Sequence, residues 1–317
     1  MLNPSHLLSR AALLAALLLL VLPLAACEVS EQGEGYPPPV RDAAAPVDPR
    51  PDTGYPEPGE EGEATDMEDE ADRDAGDAAD ENAMANTGLG GRRIFIGTDA
   101  TYPPFESEDP DGQIVGFDPD LMALLCAEAD CEAEFVATDW TGIFSALAAG
   151  EFDALMSAIT ILPEREENSG ATFTTPYYRI GQVVVARIDD ESIAGMSDLV
   201  GADALVGVQT GTTGDTAATE AGVPEDNMRR FDTIPLAFQA LQNGDVDAVV
   251  ADEPTAANYV GENPDSLRVA GEAFTTEDYG ILVPNDDPEL LAALNAAIEK
   301  LSASGDIARL AEIHEIE

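Results

Sequence analysis

The chain has 317 residues, of which 63 are acidic and 14 basic, giving a net charge of −49 at pH 7. That balance excludes nucleic acid as a partner, because phosphate contacts need basic patches. The only histidines are His6 and His314, which argues against histidine-based catalysis and His-rich metal sites.

The chain opens on a weakly basic start with His6 and Arg10, followed by an apolar run from Ala11 to Ala26 broken only by Pro23. The run is shorter than the roughly 20 residues a membrane helix needs. It closes on Leu24-Ala25-Ala26-Cys27, small residues before a cysteine, which suits a signal peptidase and resembles a bacterial lipoprotein signal. Residues 1–26 are therefore expected to be a signal peptide and Cys27 the lipidated mature N-terminus. The alternative is an ordinary secretory signal with an incidental cysteine. Either places the rest on the periplasmic or cell-surface side, and the first adds a membrane contact through the lipid.

Residues 27–91 are expected to form a disordered tether. From residue 28 onward this stretch holds 19 acids against three arginines, with many Pro, Gly and Ala. Such a segment cannot bury enough apolar surface to offset its ordering entropy. Residues 92–317 hold 44 acids and ten bases, with Lys300 the only lysine, and are long enough for one large or two modest domains.

Strand and helix alternate through that region. Strands are expected at Arg93–Thr98, Glu134–Val136 and Phe152–Met156, with helices at Phe117–Ala129 and Thr141–Ala149 between them. Strands follow at Gln182–Ala186 and Ala204–Val208. A helix at Ile234–Gln242, a strand at Val246–Val250 and a helix at Pro254–Val260 come next. A strand at Tyr279–Val283 and helices at Pro288–Ser302 and Ile307–His314 close the chain. The alternation implies α/β layers with mainly parallel sheets. Phe144–Leu155 (FSALAAGEFDAL) echoes Phe238–Val249 (FQALQNGDVDAV), a helix, a glycine cap and a buried strand in each. The echo points to two lobes of like build, or to a chance likeness of two helix–strand units. Cys126 and Cys131 lie at a helix end and the next strand start, where export favours a disulfide over two buried thiols.

In open α/β sheets ligands sit beyond the carboxyl ends of strands. Four strand ends carry polar clusters: Thr98 to Phe105, Ser157-Ala158-Ile159-Thr160 with Arg165 close behind, Gln209 to Gly214, and Asp252-Glu253-Pro254. Together they supply a cation, two carboxylates, hydroxyls and glycine-exposed amides, an inventory that fits a zwitterion. Arg165 suits a forked grip on a carboxylate, or a surface ion pair with Glu164, Glu166 and Glu167. Asp99 suits a turn cap as well as a ligand, Trp140 a core as well as a cleft, and Thr212 and Thr213 a helix cap. Asp139, Asp153 and Asp247 read as structural.

The run Ile96 to Glu106 with Gly116 to Leu121, Thr160 to Arg165, Gln209 to Thr213 and Asp252 to Pro254, in that order, resembles the polar amino-acid-binding proteins of ABC transporters, solute-binding family 3. The resemblance implies a type II periplasmic-binding-protein clamshell with two hinge strands. Lobe one would be residues 92–180 with 276–317, and lobe two residues 181–275. It implies that Arg165 grips the α-carboxylate with the Thr213 amide and the Ala158 backbone, and that Thr160 and Asp252 hold the α-ammonium. Tyr102 and Trp140 would flank the ligand side chain, with Asp99, Ser157 and Gln209 at its end. A flat or cationic side chain is expected there: arginine, lysine or histidine, with glutamine close behind. The partners implied are an amino-acid ligand and an ABC permease, and the protein is expected to be a monomer without cofactor or metal. The rival function is a periplasmic cyclohexadienyl or prephenate-type dehydratase, which needs a cleft acid such as Asp99, Asp252 or Glu253.

Overall fold

In a computed structural model, residues 88–316 are described, Ala202 excepted. The signal segment, Cys27 and the tether up to residue 87 lie outside the described residues. The tether boundary at 91 falls late. Leu89 packs on the core and donates its amide to Ala129 O at 2.6 Å, and Gly91 donates to Asp130 O at 2.8 Å.

Continuous apolar runs make the central strands, since both faces of each sheet are covered by helices. Val183, Val184 and Val185 are all buried within the strand Gln182–Arg187. One five-stranded sheet runs Cys131–Ala137, Arg92–Thr98, Ala154–Leu155, Leu282–Pro284, Ala171–Phe173. Its first three strands are parallel, and Leu282–Pro284 is antiparallel to both of its neighbours. The other runs Met228–Phe231, Val206–Gln209, Ala248–Asp252, Gln182–Arg187, Leu267–Ala270. Again the first three are parallel and the fourth, Gln182–Arg187, is antiparallel to both of its neighbours. The chain passes from one sheet to the other along an antiparallel pair, Tyr178–Ile180 with Glu277–Tyr279. The molecule is thus two-lobed, with mixed α/β sheets joined by two crossing strands.

Several elements differ from expectation. The expected strand Tyr279–Val283 splits into Glu277–Tyr279, on the crossing pair, and Leu282–Pro284, in the first sheet. Phe152–Met156 shortens to Ala154–Leu155. Residues 101–115 add a small antiparallel sheet of Thr101–Tyr102, Glu106–Glu108 and Ile114–Val115. Two short helices at the site were not among the expected elements, Pro163–Ser169 and Thr213–Ala221, the second signalled by the expected cap at Thr212 and Thr213. Their composition is charged or Thr-rich, so apolar periodicity is silent. The proline at the start of the first and the left-handed Gly170 and Gly222 that end them were further available signals.

Two local devices hold the first lobe's helix Phe117–Ala129 in place. Gly116 has φ 137°, and a Cβ there would lie 2.3 Å from Phe105 O, so only glycine lets the helix start against that carbonyl. At the other end a Cys126–Cys131 disulfide, Cα–Cα 4.6 Å, ties the helix to the strand that follows.

Candidate functional site

The carboxyl ends of the strands in both sheets meet at one cavity. It encloses about 310 Å³ of empty space, a volume that includes open solvent at its mouth. Its walls are Asp99, Tyr102, Trp140, Ser157, Ala158, Thr160 and Arg165 from the first lobe and Gln209, Thr212, Thr213 and Asp252 from the second, with Glu106 between. The eleven cleft residues named from the sequence therefore come together, and Glu106 joins them.

Several contacts bridge the lobes around this cavity. Gln209 Nε2 donates to Asp99 Oδ2 at 2.8 Å, and the hydroxyls of Thr160 and Thr213 lie 3.4 Å apart. The clamshell is closed.

Arg165 is placed by the short helix Pro163–Ser169, and its side chain is buried. Its Nη1 donates to Thr160 O at 2.8 Å, and its guanidinium carbon lies 5.2 Å from the Trp140 ring centre and 5.5 Å from that of Phe144. Burial lowers its pKa. Among the described residues Arg165 forms no ion pair, although Arg92, Arg93, Arg179, Arg187, Arg230, Lys300 and Arg309 each sit on a carboxylate. In a region with 44 acids and ten bases, a buried cation without an anion is a place for one.

Asp252 faces the same cavity from the second lobe and is also buried. Its carboxylate accepts from Gln182 Nε2 and from the Tyr279 hydroxyl. Burial pushes its pKa up to about 6, against those hydrogen bonds. It too forms no ion pair among the described residues, so the cavity holds a buried anion opposite a buried cation.

The helix Thr213–Ala221 starts at the wall. Thr212 caps it, accepting from the Asp215 amide at 3.4 Å, and donates its own hydroxyl to Gln209 O at 2.9 Å. Arg230 grips both oxygens of Asp215, at 2.9 and 2.8 Å, which fixes this turn from behind. The first-turn amides of such a helix suit a carboxylate.

The far end of the cavity is rich in acceptors. Asp99 Oδ1 accepts from the Thr101 hydroxyl at 2.8 Å, and burial raises its pKa. Gln209 gives Nε2 to Asp99 and, at 3.3 Å, to Asp232 O, which leaves its buried Oε1 without a partner. Ser157 is already engaged on both sides, accepting from the Asp99 amide and donating to Glu106 Oε1, each at 2.9 Å.

Ala158 departs from the role its backbone was expected to play. It adopts a left-handed φ of 47°, and its amide donates to Asp118 Oδ2 at 2.9 Å. That N–H is therefore unavailable to a ligand carboxylate.

The sequence pointed to no role for Glu106, on the cavity wall, or for Asp118, buried outside the lining. Asp118 Oδ2 also accepts from the Tyr177 hydroxyl at 3.1 Å. Burial and the neighbouring Asp118 push Glu106 well above the ordinary carboxyl range, and burial lifts Asp118 to about 7. Both residues lie in the Pro104-Phe105-Glu106 and Gly116-Phe117-Asp118 runs, where an acid beside a buried phenylalanine was the available signal. Gln182 from the strand Gln182–Arg187, and Tyr279 and Glu277 from a crossing strand, support the site and carried no signal of their own.

The profile of the bacterial extracellular solute-binding proteins, family 3, matches residues 94–314. A probable histidine-binding protein of Neisseria gonorrhoeae is 36% identical over 228 residues, 71% of this chain and 84% of that one. The ABC transporter arginine-binding protein 1 of Escherichia coli K12 is 34% identical over 225 residues, 69% of this chain and 89% of that one. Among solved structures, an ancestral arginine-binding protein bound to glutamine is 36% identical with a TM-score of 0.65, covering 71% of this chain and 98% of that one.

Proposed function

Because the chain belongs to the bacterial extracellular solute-binding proteins, family 3, we propose that it captures one free amino acid between its lobes and delivers it to the permease of an ABC importer. The observation that carries this reading is the pair of buried, opposite, unpaired charges on facing walls of one cavity, Arg165 and Asp252. A buried charge without a partner is costly, and an amino-acid zwitterion compensates both at once. Arg165, with the Thr212–Thr213 helix start, takes the carboxylate. Thr160 and Asp252 take the ammonium. Tyr102 and Trp140 flank the side chain.

At the side-chain end Gln209 has spent its donors and keeps a free acceptor beside Asp99. A donor-rich side chain fits that end, so the ligand class is arginine, lysine or histidine, with glutamine next. The names of the histidine- and arginine-binding relatives agree with this class. In this reading residues 92–180 with 276–317 form one lobe and 181–275 the other, the protein works as a monomer, and acylated Cys27 anchors it to the membrane through the acidic tether. Cys27→Ala is expected to move the protein from the membrane to the soluble fraction, and fractionation checks it.

A dehydratase on this fold needs an acid whose proton faces the substrate. The histidine- and arginine-binding relatives favour binding over catalysis. A thermal-shift screen of the twenty amino acids and prephenate tests the reading. Stabilisation by a basic amino acid or glutamine is expected. A response to prephenate with none to any amino acid would overturn it.

A further inference from the structure

The hydroxyl of Thr160 lines the cavity, and the direction of its hydrogen bond is fixed from outside. Thr160 Oγ1 lies 2.8 Å from Glu277 Oε2, and Glu277 is not itself part of the cavity wall. A carboxylate has no proton to give, so Thr160 donates. With its only proton spent, Thr160 must be the acceptor in its 3.4 Å contact with Thr213 Oγ1. Thr213 in turn accepts from Gln182 Nε2 at 3.1 Å, and Gln182 Nε2 also donates to Asp252. On the other side, Glu277 Oε1 takes the Thr275 hydroxyl proton at 2.8 Å, and Thr275 Oγ1 accepts from the Gln182 amide at 2.8 Å. Every donor in this circuit runs toward one of two carboxylates, Glu277 or Asp252. The circuit joins the crossing strand Glu277–Tyr279 and the segment before it to the first residue of Gln182–Arg187 and to cavity-wall residues of each lobe.

Backbone pairing holds the two key residues in register. Thr160 bridges to Tyr279, the Ile161 amide donates to Asp278 O at 2.8 Å, and the Gly280 amide donates to Ile159 O at 3.0 Å. Glu277 therefore meets Thr160 through a paired backbone rather than through a loose surface rotamer.

We propose that Glu277 is a positioning residue for recognition of the ligand's ammonium group. A free threonine hydroxyl turns to donate or to accept. By taking the Thr160 proton, Glu277 leaves that oxygen with an unshared lone pair beside Asp252, an acceptor where an ammonium needs one. The inference rests on the amino-acid reading of the cavity and deepens it, assigning control of the amino-group subsite to a residue on the crossing strand.

The test compares arginine with 5-guanidinopentanoate, the same molecule without its amino group, by titration calorimetry on the mature chain. Glutamine against glutaramate serves as a second pair. Glu277→Met, similar in length but with no acceptor, is expected to weaken the amino acids roughly ten- to a hundredfold. The same variant should leave the des-amino acids within about threefold of their wild-type affinity. Glu277→Gln keeps one acceptor edge and is expected to fall between; it replaces the methionine variant should that one fail to fold by circular dichroism. Equal weakening of both members of a pair, or no weakening of the amino acid, overturns the assignment. A wild-type protein that binds neither arginine nor glutamine instead overturns the reading of the cavity on which it stands.

Discussion

The two lobes are built alike at one end of their sheets and differently at the other. In the first, the Asp153 amide donates to Phe95 O at 2.8 Å and its carboxylate accepts from the Phe95 amide at 2.9 Å while pairing with Arg92. In the second, the Asp247 amide donates to Leu205 O at 2.7 Å and its carboxylate accepts from the Leu205 amide at 2.9 Å while pairing with Arg187. These aspartates stand at equivalent places in the repeated helix–strand unit, just before the strands Ala154–Leu155 and Ala248–Asp252. At the carboxyl ends the likeness stops. The first lobe brings Arg165 and two aromatic rings, and the second brings a helix start and a carboxylate. The shared device fixes where each strand begins, and the strand's other end is free to vary with the ligand.

The largest effect should come from the end that differs. Arg165→Ala removes the only unpaired cation on the cavity wall, and Asp252→Ala removes the anion facing it. Charge-assisted hydrogen bonds contribute about 1.5–3 kcal/mol each, so losing two or more weakens arginine binding by at least about a hundredfold in either variant. Calorimetry checks this, and near-normal affinity in either variant would refute the charge-pair reading. The two variants should differ without ligand. Arg165→Ala exposes Trp140 and Phe144 faces, whereas Asp252→Ala relieves a buried carboxyl.

The carboxyls of the cleft give the next effect, through pH. Glu106 lies well above the ordinary range, Asp118 near 7 and Asp252 near 6, each chiefly through burial. In the unfolded chain these groups ionise near about 4. Between about pH 4 and 7 the native state therefore binds more protons than the unfolded one, so stability falls as pH rises through that window. Their contribution is full below about pH 4 and gone above about 7 or higher, a loss on the order of a few kcal/mol. An ammonium beside Asp252 favours its ionised form, so bound arginine should flatten the curve and release protons near pH 6. Urea midpoints at several pH values, with and without arginine, measure both. A ligand-free midpoint that rises from pH 4.5 to 7.5 would break the account.

A smaller effect is expected where the lobes join. A Cβ on Gly181 would lie 2.6 Å from Thr275 O and 2.7 Å from the Ala273 Cβ, both in the segment that leads into the returning strand Glu277–Tyr279. Gly181→Ala forces the two crossing segments apart at a cost of about 1–3 kcal/mol. The native state bears that cost, so the unfolding midpoint should fall with it, and because the clash sits where the lobes join, affinity should fall as well. An unchanged affinity with a lowered midpoint would place the strain in a lobe instead.

The repeated half of the molecule is the half its sequence made readable. Buried strands such as Gln182–Arg187 are continuous apolar runs, and the Phe144–Leu155 and Phe238–Val249 units repeat. Pattern reading works there because burial sets the pattern. The cleft residues were legible only as polar clusters at strand ends, and their roles came from resemblance. The hidden part is pairing over long separations. Nothing local marks Glu277 as the partner of Thr160 or Tyr279 as the partner of Asp252. The Ala158 amide went to Asp118, forty residues away, for the same reason.

The comparison of the lobes is sharpened last by its smallest test. Asp153→Ala orphans the Phe95 amide, and Asp247→Ala orphans the Leu205 amide. Both pairs are part-exposed, with side-chain accessibilities of 34% and 30% for Arg92 and Asp153 and 26% and 36% for Arg187 and Asp247. Water therefore replaces some of what is lost, and each change costs about 1 kcal/mol. If the device does the same work in each lobe, the two variants lower the urea midpoint equally and the double variant lowers it by the sum. The crossing strands make this informative. Lobes that unfold as one unit give a single transition in all three proteins, whereas lobes that unfold separately give two, with each variant moving only its own. Unequal shifts in a single transition would mean that the shared geometry does not carry equal weight, and that the second lobe's aspartate is a copy in form alone.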